Sequence, residues 1–437
     1  MVCKATHRIL RLINKGGTAF PGRLALKICP DVLRIVARRV NVIAVTGTNG
    51  KTTSVRMAET ALSNAGLTVF SNRSGANLID GITCEFIVHT SIFLRPRCEW
   101  AVIECDEAAA RRVFGEIKPK AVLVTNLFRD QLDRYGTVTT PRDTIAAGLS
   151  SSPQTLVCLN ADCPMAASIA SKVPNKVTYF GFSSGSKASV ESGEDSRCIS
   201  CGAQLSYSYV TYANLGKFRC TKCGEKRHDT QVTVSDVLSD GSFVIELGNR
   251  KTLCTAALPG LYNIYNAAGV VALISAAGVE PEYALNAVSN FECGFGRMES
   301  FELGRMGARM ILIKNAAAAD QTLDIIKNSK DRKTIAFVIN DRPADGTDIS
   351  WIYDADFGRL ARMKKLCNVY AAGDRAETMA SRLEDEGVQC EVFKNSDKLI
   401  KKLEGEDAFI FILPTYTAML EFRQKLVRRL GGKNFWE

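Results

Sequence analysis

Residues 42–53 read Val-Ile-Ala-Val-Thr-Gly-Thr-Asn-Gly-Lys-Thr-Thr, an apolar run, then a glycine-framed loop, then a helical pattern to about residue 65. This stretch constrains the fold most. A strand has to end near Val45, and a helix has to begin near Thr52 with its positive end on the loop. The backbone N–H groups of Gly47, Thr48, Asn49 and Gly50 can then turn inward and, with the helix terminus, cradle a polyphosphate. Lys51 at this position reaches the β- and γ-phosphates, the Thr52 hydroxyl can ligate Mg²⁺, and Thr53 completes the nucleotide-binding run. The strict P-loop pattern has glycine where Val45 stands, so the match is partial. A plain glycine turn is the alternative, and the lysine–threonine pair at the helix start weighs against it.

A chain of 437 residues is long for one core and predicts two or three domains. Its 46% hydrophobic and 23% charged residues are ordinary for a soluble globular protein. No apolar run approaches the roughly 18 residues that cross a bilayer. The N-terminus carries no signal-peptide pattern, so a cytoplasmic location is expected. Most of the 15 cysteines stand singly in apolar segments, as Cys105, Cys158 and Cys367 do, and read as small buried side chains. His7, His89 and His228 have no motif around them. The expected chemistry therefore rests on carboxylates, Lys, Arg and Mg²⁺. Net charge is +10. In the first forty residues Lys4, Arg8, Arg11, Lys15, Arg23, Lys27, Arg34, Arg38 and Arg39 face a lone Asp31. That segment could approach an anionic membrane or substrate; a helix packed on the domain with a solvated basic face is the favoured reading.

Strand-like runs at 41–45, 100–105, 121–125 and 155–159 alternate with helical stretches such as 52–65 and 144–149. The alternation predicts a parallel sheet with helices on both faces. A Ser/Gly-rich linker at 181–196, a cysteine-bearing insert, a β-like stretch at 232–247 and a helix at about 263–277 follow. A second α/β unit begins near Phe301, with strands expected at 310–313, 334–339, 368–371, 389–393 and 409–413 and helices at 376–386 and 418–430. The expected division is a central ATP-binding domain over 1–300, an inserted ribbon over 195–228, and a Rossmann-like C-terminal domain over 301–437.

Cys198-Ile-Ser-Cys201 and Cys220-Thr-Lys-Cys223 make a paired CxxC pattern, and each pair is followed by glycine, Gly202 and Gly224. Two such knuckles turn four thiolates to one point, as tetrahedral Zn²⁺ requires. With sulfur at all four corners the site leaves no place for water and is expected to be structural. Tyr207, Tyr209, Tyr212 and Phe218 between the knuckles could stack on bases. A ribbon of about thirty residues also needs them as its core, so no nucleic acid is expected.

Further along, Glu104 and Asp106 end a strand, where an α/β sheet places its ligand crevice. Thr125-Asn126 and Asp130-Gln131-Leu132-Asp133 follow, then Asn160-Ala161-Asp162, Asn263, Asn266 and Gly296-Arg297. With Gly47–Thr52, this series resembles the Mur ligase family, the ATP-dependent ligases of peptidoglycan precursors and their folylpolyglutamate relatives. The resemblance implies that Lys51 and its loop bind the triphosphate and that Thr52 and Glu104 hold Mg²⁺. It places Asn126 and Asn266 at the nucleotide, Asn266 near adenine, and Arg297 on the γ-phosphate. Family members have histidine where Gln131 stands, which puts a second metal site in doubt. The second domain lacks the usual amino-acid recognition motif. It carries instead Asp345-Gly346-Thr347-Asp348-Ile349-Ser350-Trp351-Ile352-Tyr353-Asp354.

That stretch, with the Cys₄ insert, is similar to the amidating branch of the family. The branch implies an acyl phosphate made by ATP on the D-Glu α-carboxylate of lipid II, with ammonia as the nucleophile. It further implies a GatD-like glutamine amidotransferase subunit as partner and work at the inner face of the membrane. Asp348 would complete the partner's triad by orienting its histidine; a cap in a polar loop is the other reading. A self-sufficient ligase adding an amino acid, and a non-catalytic nucleotide- or nucleic-acid-binding protein, remain as alternatives.

Overall fold

The computed structural model describes all residues except 1, 13–18, 73–75, 129–138, 186–196, 239–240, 256–259, 292–296 and 431–437, and the side chains of residues 9, 11, 12 and 297. The chain divides into two compact units, with the change at Phe291/Glu292.

Unit one is built on a nine-stranded sheet in the order β11-β10-β9-β6-β5-β4-β1-β3-β2. The strands β1 (Asn41–Thr46), β2 (Val69–Ser71), β3 (Trp100–Glu104), β4 (Ala121–Val124), β5 (Leu156–Asn160), β6 (Val177–Phe182) and β9 (Val232–Val237) run parallel. β10 (Phe243–Leu247) and β11 (Arg250–Cys254) extend the edge as an antiparallel meander. β3 and β4 are buried along their whole length. Continuous apolar runs of this kind belong to strands covered on both faces. Their helices include α4 (Lys51–Asn64), α5 (Ile79–Val88), α6 (Ala110–Ile117) and the helix Leu261–Ala276. The basic N-terminal segment forms α1 (Val2–Leu12), α2 (Ala19–Ile28) and α3 (Val32–Ala37), all packed against α5.

β1 lies between β3 and β4, so the strand order reverses on either side of it. Such a switch point opens a crevice at the carboxyl ends of the strands. The register aligns Val45 with Glu104 and with Leu123, and Thr46 with Val124. The loops that follow β1, β3 and β4 therefore leave the sheet at one level.

The segment 181–196 differs in part from the expected linker, because Gly181 and Phe182 still belong to β6. Glycine there marks close packing. A Cβ on Gly181 would stand 2.9 Å from both oxygens of Asp162 and 3.0 Å from the Arg227 guanidinium. The cysteine-bearing insert holds the hairpin β7 (Leu205–Tyr212) and β8 (Leu215–Cys220).

Unit two carries a six-stranded sheet, β12-β13-β17-β14-β15-β16. Its strands are β12 (Arg297–Phe301), β13 (Ala308–Ile311), β14 (Lys333–Val338), β15 (Leu366–Ala372), β16 (Glu391–Phe393) and β17 (Phe409–Pro414). All pairings are parallel except the edge strand β12 on β13. The helix Tyr416–Leu430 buries Met419, Phe422 and Leu426 at helical spacing against Met310, Val338 and Ile412. Truncating a fully buried phenylalanine such as Phe422 costs about 3–5 kcal/mol. Arg423 on the same helix donates to Glu299 of β12 at 2.8–3.1 Å. No described helix is long and apolar enough to cross a membrane.

Candidate functional site

The crevice at β1 is lined by charge that the fold has buried. Lys51, in the first turn of α4, donates to the Gly47 carbonyl at 2.5 Å and pairs with Glu107 at 3.3 Å. Burial on its own would lower the Lys51 pKa. The carboxylates of Glu107, Glu104 and Asp106 outweigh it and hold the ammonium above its ordinary value. Lys51 thus stays charged out of bulk water, which is what a phosphate-binding cation needs. Gly47 and Gly50 have φ of 124° and 86°. A Cβ on Gly47 would come within 2.4 Å of Thr125 Oγ1, and one on Gly50 within 2.0 Å of Asn266 Oδ1. The two glycines therefore serve both the turn and the close approach of the β4 end and of the helix Leu261–Ala276.

The loop is held from β4. Thr48 N–H donates to the Asn126 carbonyl at 2.8 Å. The Asn126 side chain accepts from Asn49 N–H at 3.0 Å and donates to the Asn49 carbonyl at 3.2 Å. Thr125 Oγ1 donates to that same carbonyl at 2.7 Å. Asn126 is thus a clamp on the loop backbone. Asn266, from the helix Leu261–Ala276, stands against Gly50, and its Nδ2 is buried without a hydrogen-bond partner among the described residues. A buried amide donor without a partner costs about 1–3 kcal/mol, so this atom marks a place where an acceptor of a ligand fits.

At the start of α4, Thr52 Oγ1 donates to Glu104 Oε2 at 2.6 Å, and Asn77 Nδ2 donates to Glu104 Oε1 at 3.2 Å. The Glu104 backbone is gripped on both sides by Asn72. Its N–H donates to Asn72 Oδ1, and its carbonyl accepts from Asn72 Nδ2, each at 2.8 Å. One hydroxyl and one carboxylate oxygen so close together are hard oxygen donors of the type that suits Mg²⁺. Glu107 and Asn72 were not singled out by the motif reading. The acidic run Glu104-Cys105-Asp106-Glu107 at a strand end was the available signal for Glu107; Asn72 had none.

The Asn160-Ala161-Asp162 segment does different work. Asp162 is fully buried and accepts from Arg227 Nε at 2.5 Å, Tyr265 O–H at 2.6 Å and Phe182 N–H at 2.8 Å. It ties the end of the cysteine-bearing insert to the sheet and to the helix Leu261–Ala276.

The sulfurs of Cys198, Cys201, Cys220 and Cys223 lie within 4.8 Å of one another, with Cys198–Cys223 and Cys201–Cys220 both at 3.5 Å. Tetrahedral thiolates 2.3 Å from one zinc stand about 3.8 Å apart, whereas a disulfide needs about 2.05 Å. Gly202 and Gly224 have φ of 71° and 78°, as the turn after each knuckle requires. N–H groups of Cys223 and Lys222 point at Cys220 Sγ at 3.4 Å and lower its pKa. The donor set fits a closed zinc site. Phe218 and Leu205 form a small core beneath it with Tyr207 packed alongside, and Tyr212 is buried against Tyr265. These aromatics are engaged in packing.

In unit two, Arg297 opens β12 opposite Ile311; its side chain lies outside the described residues, as do Gln131, Asp130 and Gly296. After β14, Asn340 is buried, with its N–H on Thr415 Oγ1 at 2.9 Å and its Nδ2 on Thr417 Oγ1 at 3.0 Å. Asp345 accepts from Thr417 N–H at 2.6 Å and from its hydroxyl at 2.5 Å. Arg342 bridges Asp374 and Glu421. On this fixed base Asp348 is exposed, and one of its oxygens caps Ser350 N–H at 2.8 Å.

Two family models match the chain. The Mur ligase middle domain matches residues 45–274, and the MurT ligase C-terminal model matches residues 312–419. The chain is 34% identical to the lipid II isoglutaminyl synthase (glutamine-hydrolyzing) subunit MurT of Streptococcus pneumoniae, over 98% of this chain and 96% of that one. Against the Staphylococcus aureus N315 protein of the same description the identity is 31%, over 99% and 98%. A pseudomurein peptide ligase type C from Methanothermus fervidus shares the fold with a TM-score of 0.67 at 19% identity, over 90% of this chain and 79% of that one.

Proposed function

The chain belongs to the Mur ligase family, in its MurT branch, and from that premise we propose that it is the synthase subunit of a lipid II isoglutaminyl synthase. ATP donates its γ-phosphoryl group to the α-carboxylate of D-Glu in the stem peptide. Ammonia attacks the acyl carbon, inorganic phosphate leaves, and D-isoglutamine remains. A carboxylate does not lose its oxygen to an amine unaided, and the phosphoryl transfer supplies the leaving group. The observation that carries this reading is the cluster of buried Lys51 and Glu104 with half-buried Thr52, in a chain whose second unit is of the MurT type.

Lys51, with the loop 47–50 and the N-terminal turn of α4, binds the triphosphate and offsets the charge that spreads over its oxygens in the transition state; the N–H groups of Thr48 and Asn49 are spent on Asn126 rather than on phosphate. Asn126 keeps the loop in that shape, and the Asn266 Nδ2, unpartnered among the described residues, meets the nucleotide. Arg297 is assigned to the γ-phosphate by family position. Thr52 and Glu104 would hold Mg²⁺, which would supply positive charge to the phosphates. The four cysteines hold a structural Zn²⁺.

Ammonia comes from a GatD-like glutamine amidotransferase subunit. Asp348 orients the catalytic histidine of that partner; it is exposed, and among the described residues only one of its oxygens accepts a bond, from Ser350 N–H, which leaves the other for that purpose. The complex works in the cytoplasm at the inner face of the membrane, where lipid II presents its stem peptide. The test is a steady-state assay of the complex on lipid II with ATP and either glutamine or ammonium. Amidation from both sources supports the reading. Amidation from neither, with addition of a free amino acid instead, excludes it.

A further inference from the structure

After α5 the chain makes a narrow turn at residues 91–97 that exposes the apolar side chains Ile92, Phe93 and Leu94, at 65%, 79% and 43%. The turn is well fastened. Ser91 N–H donates to the Arg95 carbonyl at 2.7 Å, Ser91 Oγ accepts from the N–H of Phe93 and of Arg95 at 3.3 and 3.1 Å, and Thr90 bridges Pro96. Leu94 sits at φ 57°, a conformation that favours glycine or asparagine. A leucine there is a local backbone cost to the fold, offset only by partial packing.

The surroundings of the tip are cationic. Arg95 and Arg97 form no ion pair among the described residues. The Lys4 ammonium of α1 donates to the Thr90 carbonyl and so fastens α1 to the base of the turn. Burial, then Arg97 and Arg8, press the Lys4 pKa below its ordinary value, which marks how closely the positive charges gather.

We propose that residues 91–97 are a membrane-docking tip. Ile92, Phe93 and Leu94 enter the interfacial layer of an anionic bilayer, while Arg95, Arg97 and Arg8 of α1 meet lipid phosphates. The shape and the charge select this occupant. A convex point of three side chains is far smaller than the roughly 800 Å² that each side of a stable protein complex buries. It is also the reverse of a concave ligand pocket. Apolar side chains with a basic collar are what interfacial membrane binding uses, and two weak signals together hold a protein where one does not. The inference goes beyond the reaction proposed above and does not rest on it, since lipid binding is measured without ATP or turnover.

The test uses the full chain and vesicles of phosphatidylcholine with or without phosphatidylglycerol. The expected result is sedimentation with the anionic vesicles only, weakened by salt. Ile92→Ser with Phe93→Ser should weaken it about tenfold, and Arg95→Glu with Arg97→Glu by roughly twentyfold or more. Each variant should keep the parent's thermal midpoint, since these side chains are solvated. In a Phe93→Trp protein the emission should shift to the blue with anionic vesicles and be quenched by brominated lipid. Vesicle binding with unmoved Phe93→Trp emission would overturn the proposal. So would absence of binding, or an emission shift produced by the glutaminase partner and not by lipid.

Discussion

The two ends of the proposed chemistry are built in opposite ways. Around Lys51 the fold buries a cation among Glu104, Asp106 and Glu107 and fastens each strand end with side-chain bonds from Asn72, Asn77, Thr125 and Asn126. Around Asp348 the base is rigid, with Asn340, Asp345 and Arg342 fully engaged, but the carboxylate itself is exposed and held by one N–H. A group that must act on phosphate in a dry crevice has to be pre-paired, because a buried ion without a partner is costly. A group that serves another protein has to remain on the surface until that protein arrives.

The sharpest break of this contrast is Lys51→Ala. Amidation should fall by about a thousandfold or more with either nitrogen source, because charge stabilisation of the transferring phosphoryl group is lost. The substitution also takes from buried Glu107 its ion pair with Lys51, so the fold should weaken, a consequence of the pair that the sequence did not reveal. Lys51→Ala with Glu107→Gln should recover most of that stability and none of the activity, read by thermal unfolding beside the assay. Recovery of turnover in the double variant would sink the phosphate-loop assignment.

Next in size is Asp348→Asn. Glutamine-driven amidation in the complex should drop by roughly a thousandfold, as when a triad loses the carboxylate that sets its histidine. Ammonium-driven amidation should stay within about twofold of the parent. Equal loss of both would move Asp348 into the ligase site or the fold and erase the contrast.

Glu107→Gln alone should lower the stability of the nucleotide-free protein by about 3 kcal/mol, since Lys51 keeps its burial and loses its nearest counter-charge, with Glu104 and Asp106 remaining. ADP with Mg²⁺ should restore much of it, because phosphate then pairs with Lys51. A variant that melts with the parent and gains no more from nucleotide would show that the pair is inert. The smallest effect on chemistry is expected from Cys201→Ser. Elemental analysis should fall from one zinc per chain toward none, and the thermal midpoint should drop. The Km for ATP should hold within about threefold.

The sequence carried what repeats along the chain or sits within a few residues. The strand, glycine loop and lysine–threonine at 42–53 became β1, the loop and α4. The two CxxC pairs met at one point, because short-range turns brought each pair together and one hairpin brought the pairs to each other. The basic N-terminus, read as a packed helix with a solvated face, is three helices against α5. Long-range electrostatics was not legible. Lys51 meets Glu107 across 56 positions, and Asp162 meets Arg227 across 65. No local spacing encodes such pairs. Strand β6 was not among the expected strands, and its last two residues fell in the expected linker at 181–196; glycine suggests a break in a sequence, while here Gly181 admits Asp162 and Arg227 at close range.

The most direct test of the central claim follows the oxygen. Lipid II carrying ¹⁸O in both oxygens of the D-Glu α-carboxylate is turned over by the complex with ATP and ammonium, and the released phosphate is weighed. An acyl phosphate places one carboxylate oxygen on phosphorus and leaves it there when ammonia displaces it. One ¹⁸O per inorganic phosphate is therefore expected, in proportion to amide formed. Amide formation with unlabelled phosphate would contradict the acyl phosphate and, with it, the role given to the Lys51 crevice.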